Sequence, residues 1–175
     1  PLEQAEDIAR ALATAQAKAA SWGGDPTRFI LMGHSAGAHL VALVATSPEI
    51  VRRAGAKPWL GSVLLDSAAL DVVTIMQARH ARFYDRAFGK DPAYWRAVSP
   101  VHGLSEKTAP LLAVCSSQRT ESCPQASRFV EKATALGVRA SVLQQDRSHQ
   151  ETNQQLGLAN PYTGAVEVFM GSLSQ

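Results

Sequence analysis

The sequence lacks the features that mark several classes of protein. Charged residues make up only 18% of the 175 residues, acidic and basic side chains are interspersed, and the net charge is +2. Without a basic stripe or a run of like charge, the chain is not expected to bind nucleic acid or an anionic membrane surface. No apolar stretch reaches the roughly 20 residues that a membrane-spanning helix needs, so no membrane span is expected.

Cysteine is also scarce. The chain has two cysteines, Cys115 and Cys123, and no metal-ligand spacing appears, so we expect no metal and no other cofactor. In an oxidising compartment the pair would close a small disulfide, and the protein would be periplasmic or secreted; in the cytoplasm they would be two buried thiols. The chain begins with Pro1 and shows no leader, which we interpret as processing or trimming, so compartment and oligomeric state are not predicted.

Short apolar runs alternate with helical segments along the whole chain. This alternation predicts one α/β domain over residues 1–175, with a mostly parallel open sheet and helices on both faces. Reactive groups in such sheets collect at the carboxyl ends of the strands. The predicted strands are Arg28–Met32, Ser62–Leu65, Leu111–Cys115 and Ala140–Leu143, the predicted helices are Leu2–Ala20, Ala38–Thr46, Gln125–Leu136 and Tyr162–Leu173, and a basic loop holds Arg52, Arg53 and Lys57.

A pentapeptide stands between the first predicted strand and the next helix. Residues 33–37 read Gly-His-Ser-Ala-Gly, a G-x-S-x-G pattern. In this setting it predicts a nucleophile elbow, a turn that strains the serine backbone and exposes its hydroxyl, and both glycines are expected to prevent collisions there. Ser35 is the predicted nucleophile, and the Ala36 N–H is predicted to bind an oxyanion. The plainer interpretation is a glycine-rich turn with an N-capping serine.

A serine nucleophile needs a base, and histidine has a suitable pKa. Of the five histidines, His149 follows the last predicted strand in a polar loop, and the chain order of nucleophile, acid and histidine favours it as the base. His34 neighbours Ser35 and is expected to be structural or to contact substrate. His39 is expected to pack under the sheet edge, and His80 and His102 to lie in a lid or on the surface.

The third member of the site is an acid that orients the histidine. Glu121 is the only carboxylate in the loop after the third predicted strand, where the acid is expected, and it stands 28 residues before His149. We therefore predict Glu121 as the acid, and Asp66, at the end of the preceding strand, as the alternative. The competing interpretations are an exposed loop residue paired with Arg119 for Glu121, and a cap of the turn after its strand for Asp66.

Residues 71–109 form a predicted excursion without a strand, rich in aromatic side chains. Five of the eleven aromatic residues of the chain lie there. We expect this segment to be helical and to overhang the site as a lid, with Tyr84, Trp95 and the neighbouring His34 contacting an apolar part of the substrate. Ordinary core packing is the competing interpretation for each aromatic side chain.

With Ser35 and His149 placed, the chain resembles the α/β-hydrolase superfamily. It is similar to the carboxylesterases and lipase-like proteins that include hormone-sensitive-lipase-type esterases and arylformamidases, through Gly24-Asp25-Pro26, residues 33–40 and the Ser148-His149 loop. The resemblance implies a serine hydrolase that cleaves small-molecule carboxylic esters through an acyl-enzyme. An arylformamidase-type amide hydrolase with the same triad and a catalytically silent ligand-binding module are the alternatives.

The chain departs from this group in two ways. Such proteins usually carry an aspartate about where Arg119 stands, which leaves the acid open between Glu121 and Asp66. They also have roughly a hundred residues before the first helix seen here, including an HGGG-type loop that donates to the oxyanion. The resemblance therefore implies that this chain is the C-terminal two-thirds of a hydrolase, with an incomplete oxyanion hole.

Overall fold

A computed structural model describes residues 1–174, and its centre is a four-stranded parallel sheet. The strand order in the sheet is the order in the sequence, β1-β2-β3-β4, as expected for an open α/β sheet. The strands are β1 (Ile30–His34), β2 (Gly61–Leu65), β3 (Leu111–Ser116) and β4 (Ala140–Gln145).

The two inner strands are buried along their whole length, while β1 and β4 lie at the edges and are partly exposed. Apolar residues on both faces suit an inner strand that is covered by helices on each side. The first strand lies two residues further along the chain than the predicted Arg28–Met32, because its pairing with β2 runs from Ile30 through His34. The backbone N–H of Ser35 still donates to the Leu65 carbonyl at 2.8 Å, so the pentapeptide begins inside the strand.

Helices cover the sheet on both faces. They are α1 (Leu2–Lys18), α2 (Ala36–Ala45), α3 (Pro48–Ala54), α4 (Val72–Gln77), α5 (Arg82–Phe88), α6 (Pro92–Ala97), α7 (Pro100–Gly103), α8 (Ser122–Ala135), α9 (Glu151–Gln154) and α10 (Pro161–Ser172). Side chains of β2 alternate between the two layers: Leu64 packs with α2 and α8, while Val63 and Leu65 pack with α10. On the outer side of α2, its residues Leu43 and Val44 pack against α1 and α3.

Two segments differ from the sequence-based expectations in detail. The basic stretch predicted as a loop contains α3, which begins at Pro48, a residue suited to the first helical turn, and ends before Gly55 at a φ of 73°. The excursion over residues 71–109 holds no strand and folds as the four short helices α4–α7. Among residues 1–174, no helix is both long enough and apolar enough to cross a membrane.

Cys115 and Cys123 are joined by a disulfide, with an S–S distance of 2.04 Å. Of the two states that the sequence left open, this is the oxidised one. The bond links the end of β3 to the first turn of α8 and closes a loop whose cysteines are eight residues apart. This loop lies at the carboxyl end of the sheet, beside the ends of β2 and β4.

Candidate active site

The pentapeptide forms a sharp turn from β1 into α2. Ser35 has a φ of 58° and a ψ of −117°, a strained conformation for a residue with a side chain. A Cβ atom on Gly33 would lie only 2.4 Å from the carbonyl oxygen of Gly37, so the close approach of strand and helix requires glycine at position 33. The expectation for Gly37 is wrong, because a Cβ there would meet nothing within 4 Å.

His149 lies beside Ser35, at the beginning of the turn that leads into α9. Its Nε2 atom is 2.9 Å from Ser35 Oγ. The loop is held by its neighbours, since Thr152 Oγ1 donates to the His149 carbonyl at 2.7 Å and Tyr162 Oη donates to the Thr152 carbonyl at 2.7 Å. Burial raises the pKa of Tyr162 to about 12, so this hydroxyl remains a donor. The closing helix α10 thus supports the loop that carries His149.

His34 contacts the loop that carries His149 and does not line the cleft. Its Nε2 lies 2.8 Å from the His149 carbonyl oxygen, to which it donates, and the two imidazole rings are 4.4 Å apart between centroids. Burial is the main cause that lowers the pKa of His34 below its ordinary value, which favours the neutral ring. His34 thus packs on His149 and is not among the residues that line the cleft, so its predicted contact with substrate stays a prediction.

The carboxylate that contacts His149 belongs to Asp66, directly after β2. Asp66 Oδ2 is 2.6 Å from His149 Nδ1, and the residue has no exposed surface. A carboxylate only accepts hydrogen bonds, so Nδ1 carries the proton and Nε2 is left to accept one from Ser35. Like Ser35, Asp66 has a positive φ, 55°, and these are the only two such non-glycine residues among residues 1–174.

Four donors surround the Asp66 carboxylate. Besides His149, Arg119 Nη1 donates to Oδ2 at 2.9 Å, the Ser116 N–H donates to Oδ1 at 2.9 Å, and the Ser122 hydroxyl also donates to Oδ1. Burial by itself raises the pKa of Asp66, yet the hydrogen bonds, first from Ser122 and then from His149, outweigh burial and hold the pKa below its usual value. Asp66 therefore stays ionised although it is buried.

Glu121, the acid preferred from the sequence, is exposed at the N-terminal end of α8, and no side-chain hydrogen bond joins it to another described residue. Residues 117–120 separate Glu121 from the end of β3, whereas Asp66 follows the last residue of β2 directly. The side chain of Arg119 also fills the space beside His149 Nδ1, at 3.0 Å. In the structure His149 is paired with the alternative, Asp66, and not with Glu121.

A cleft of about 470 Å³ opens in front of Ser35 and His149. Ala36 lies at the first position of α2, where a backbone N–H has no partner within the helix, and it lines this cleft. Tyr84 lines the cleft as expected, together with Phe83, whereas Trp95 packs among the helices of the excursion and donates from Nε1 to the Gly89 carbonyl at 3.1 Å.

His39, one turn into α2, forms part of the cleft floor. It is 4% exposed, and burial lowers its pKa to about 4, so the ring is neutral. Its Nδ1 lies 2.6 Å from the Ala69 carbonyl, to which it donates, and its ring lies 5.6 Å from that of Phe88. His80 pairs with Asp85 in the excursion, and no His, Cys, Asp and Glu cluster suited to a metal occurs within residues 1–174.

The loop closed by Cys115 and Cys123 supplies the contacts that sequence reasoning missed. Ser116, Arg119 and Ser122 all bind the Asp66 carboxylate, and none of them belongs to a recognisable motif. The sequence signal for these contacts is indirect. A polar loop between two nearby cysteines follows β3, and β3 pairs with β2, the strand that precedes Asp66. Only the strand order makes this loop adjacent to Asp66.

Comparison with known proteins places the chain in a family. Residues 2–132, which are 131 of the 175 residues, match the family model described as BD-FAE. The chain belongs to the BD-FAE family. The matched segment of this BD-FAE chain includes Ser35, Asp66 and Arg119, while His149 lies beyond it. No curated protein sequence matches the chain.

Solved structures show that this BD-FAE chain has the fold of α/β-hydrolase esterases. It is similar to an acetyl ester-xyloside bifunctional hydrolase from Caldicellulosiruptor lactoaceticus (TM-score 0.76, 20% identity, 99% of this chain and 66% of that one). It is also similar to esterase B from Lactobacillus rhamnosis (TM-score 0.74, 18% identity, 99% and 61%). A third similar structure is carboxyl esterase 2 from the fungus Tuber melanosporum (TM-score 0.69, 22% identity, 93% and 59%). The chain therefore spans between 59% and 66% of the length of these proteins.

Proposed function

We propose that this chain carries the catalytic residues of a serine hydrolase that cleaves carboxylic esters through an acyl-enzyme. The observation that carries the proposal is the continuous series of contacts from Ser35 Oγ to His149 Nε2, at 2.9 Å, and from His149 Nδ1 to Asp66 Oδ2, at 2.6 Å. Nucleophile, base and acid are each within hydrogen-bond distance of the next, as acyl transfer requires. The strained backbone at Ser35 adds support, because a nucleophile elbow needs it.

In the proposed reaction, His149 Nε2 accepts the Ser35 proton as Oγ attacks the ester carbonyl. The imidazolium that results is stabilised by Asp66, which remains ionised and keeps the ring oriented. The Ala36 N–H donates to the oxyanion of the tetrahedral intermediate. His149 then protonates the leaving alcohol, and in the second half of the reaction it deprotonates the water that attacks the acyl-enzyme.

The cleft favours a small ester with an apolar part. Leu40, Phe83, Tyr84 and Phe88 present apolar surface close to Ser35 and His149, and such surface suits an acyl or alcohol group without charge. Two of the similar solved structures bear the names of esterases and the third that of an acetyl ester-xyloside bifunctional hydrolase, which agrees with this substrate class. No observation favours an amide over an ester, so amide hydrolysis enters only as an outcome of the test.

The test combines a covalent probe with a substrate panel. A fluorophosphonate is expected to label the folded protein, and Ser35→Ala is expected to abolish labelling. Ser21→Ala, which changes an exposed serine that follows α1 and does not line the cleft, serves as the matched control. Short-chain aryl esters are expected to be cleaved in preference to N-formyl anilides. A folded protein that is not labelled would indicate a silent binding module, and a preference for the anilides would indicate an arylformamidase-type enzyme.

A further inference from the structure

Arg119 lies against the triad and takes no part in the proposed proton transfers. Its Nη1 atom is 2.8 Å from the backbone oxygen of Asp66, 2.9 Å from Asp66 Oδ2 and 3.0 Å from His149 Nδ1. The side chain is 29% exposed at the edge of the cleft, whereas that of Asp66 is completely buried. One guanidinium nitrogen therefore contacts both the acid and the base of the triad.

The hydrogens on these atoms show which contacts are hydrogen bonds. Nη1 carries two hydrogens and always acts as a donor, and His149 Nδ1 is itself a donor to Asp66 Oδ2. The two Nη1 hydrogens are therefore used by the backbone oxygen and by Oδ2 of Asp66, and the contact with Nδ1 brings two donors together. Arg119 thus holds the main chain and the side chain of a residue whose φ is positive.

The contact with Nδ1 places a positive charge beside a ring that must itself become positive during the reaction. Among residues 1–174, three titratable or charged side chains contact the His149 ring: Asp66 directly after β2, Arg119 from the loop after β3, and His34 from β1. The carboxylate favours the imidazolium, the guanidinium opposes it, and a neutral His34 adds no charge. The charge on Arg119 therefore offsets part of the help that Asp66 gives to protonation of the ring.

We propose that Arg119 is a positioning residue that holds Asp66 in place and whose positive charge opposes the protonation of His149. The proposal rests on the function proposed above, in which only the unprotonated imidazole activates Ser35. Its consequence is that Ser35 stays reactive at a lower pH than it would if Asp66 faced His149 without Arg119.

The experiment follows the protonation of His149 directly by proton NMR, so it does not depend on turnover. The His149 ring resonance is assigned by its loss in His149→Gln, and its titration midpoint is measured in the wild type and in two variants. Arg119→Gln, which removes the charge but keeps a donor, is expected to raise the midpoint above that of the wild type. Arg119→Lys, which keeps the charge, is expected to stay close to the wild type.

A control variant separates the effect of this charge from a general change of surface charge. Arg79→Gln removes an exposed arginine from an adjoining cavity without touching His149, and its midpoint is expected to equal that of the wild type. A midpoint in Arg119→Gln that equals or falls below the wild-type value would overturn the proposal. Should Arg119→Gln fail to fold, as judged by circular dichroism, Arg119→Met provides a second neutral variant.

Labelling of Ser35 with the fluorophosphonate distinguishes this inference from the proposed function. If the wild type is labelled, its labelling rate at weakly acidic pH relative to pH 8 is expected to fall in Arg119→Gln and to be retained in Arg119→Lys. A folded wild type that is never labelled contradicts the serine hydrolase, while the NMR midpoints still decide the role of Arg119.

Discussion

Two neighbouring strands, β1 and β2, end in the same unusual way, but only one of the two ends is marked in the sequence. Ser35 and Asp66 both have a positive φ, at 58° and 55°. At Ser35 the turn brings the main chains of strand and helix together, so Gly33 must lack a side chain, and a pattern results. At Asp66 the conformation is stabilised by side chains from another loop, which leave no local pattern. A strained turn can be predicted from the sequence when the residues that permit it are its close neighbours in the chain, as Gly33 is for Ser35.

The largest expected effect tests which carboxylate, Asp66 or Glu121, is the acid that orients His149. Asp66→Asn is expected to lower kcat about 10,000-fold, because an amide at this position no longer holds the imidazole in the productive tautomer. Glu121→Gln, the matched variant, is expected to change kcat by less than about twofold, since Glu121 is exposed and does not contact His149. Aryl-ester kinetics on both variants provide the measurement, and a greater loss in Glu121→Gln would refute the assignment.

The next effect tests the first strand end. Gly33→Ala is expected to destabilise the protein by about 3 kcal/mol, because its Cβ atom would lie 2.4 Å from the Gly37 carbonyl oxygen and the main chain would have to move. Gly37→Ala places its Cβ in open space and serves as the control, with little expected change. Urea denaturation followed by circular dichroism measures both, and equal stabilities of the two variants would contradict the difference drawn between these glycines.

A third effect concerns the disulfide, which closes the loop that binds Asp66 and is not part of the turn at Ser35. Replacing Cys115 and Cys123 together by alanine is expected to destabilise the protein by about 2 kcal/mol, since the closed loop is short. Activity is expected to fall as well, because this loop supplies three of the donors to Asp66. The turn at Ser35 is unaffected by the change. Activity retained in full, with the same loss of stability, would show that Asp66 needs no support from the closed loop.

The smallest effect concerns the pH dependence of stability. Because the pKa of Asp66 is lowered in the folded protein, its ionisation contributes stability above the unfolded-state pKa, and this contribution is lost as pH falls through the lower, folded-state pKa. Ser122→Ala removes the hydrogen bond that lowers this pKa most, so we expect the loss of stability on acidification to begin at a higher pH. Thermal denaturation between pH 2 and pH 6 would reveal it; unchanged curves would contradict this role of Ser122.

Much of the fold was predictable because burial imposes a pattern on the sequence. All four strands could be predicted, because each is a short, mostly apolar run. The elbow pattern and the chain order predict Ser35 and His149 as nucleophile and base, and the two side chains lie 2.9 Å apart. The sequence favours Glu121 over Asp66, because distance along the chain does not show which of two adjacent strand ends faces the base. Arg119 was seen as a departure from a family pattern, but its contact with both Asp66 and His149 depends on side-chain reach.

The strand order has a consequence for folding during synthesis. Because β2, β3 and β4 each pair with the strand that precedes them in the chain, each can add to an edge that has already been synthesised. Ser35 emerges first, Asp66 second, and the Arg119 loop third, while His149 arrives after the last strand. We therefore expect nascent chains that stop between β3 and β4 to hold a formed elbow without His149, so that the proposed triad is completed only after β4 has been synthesised.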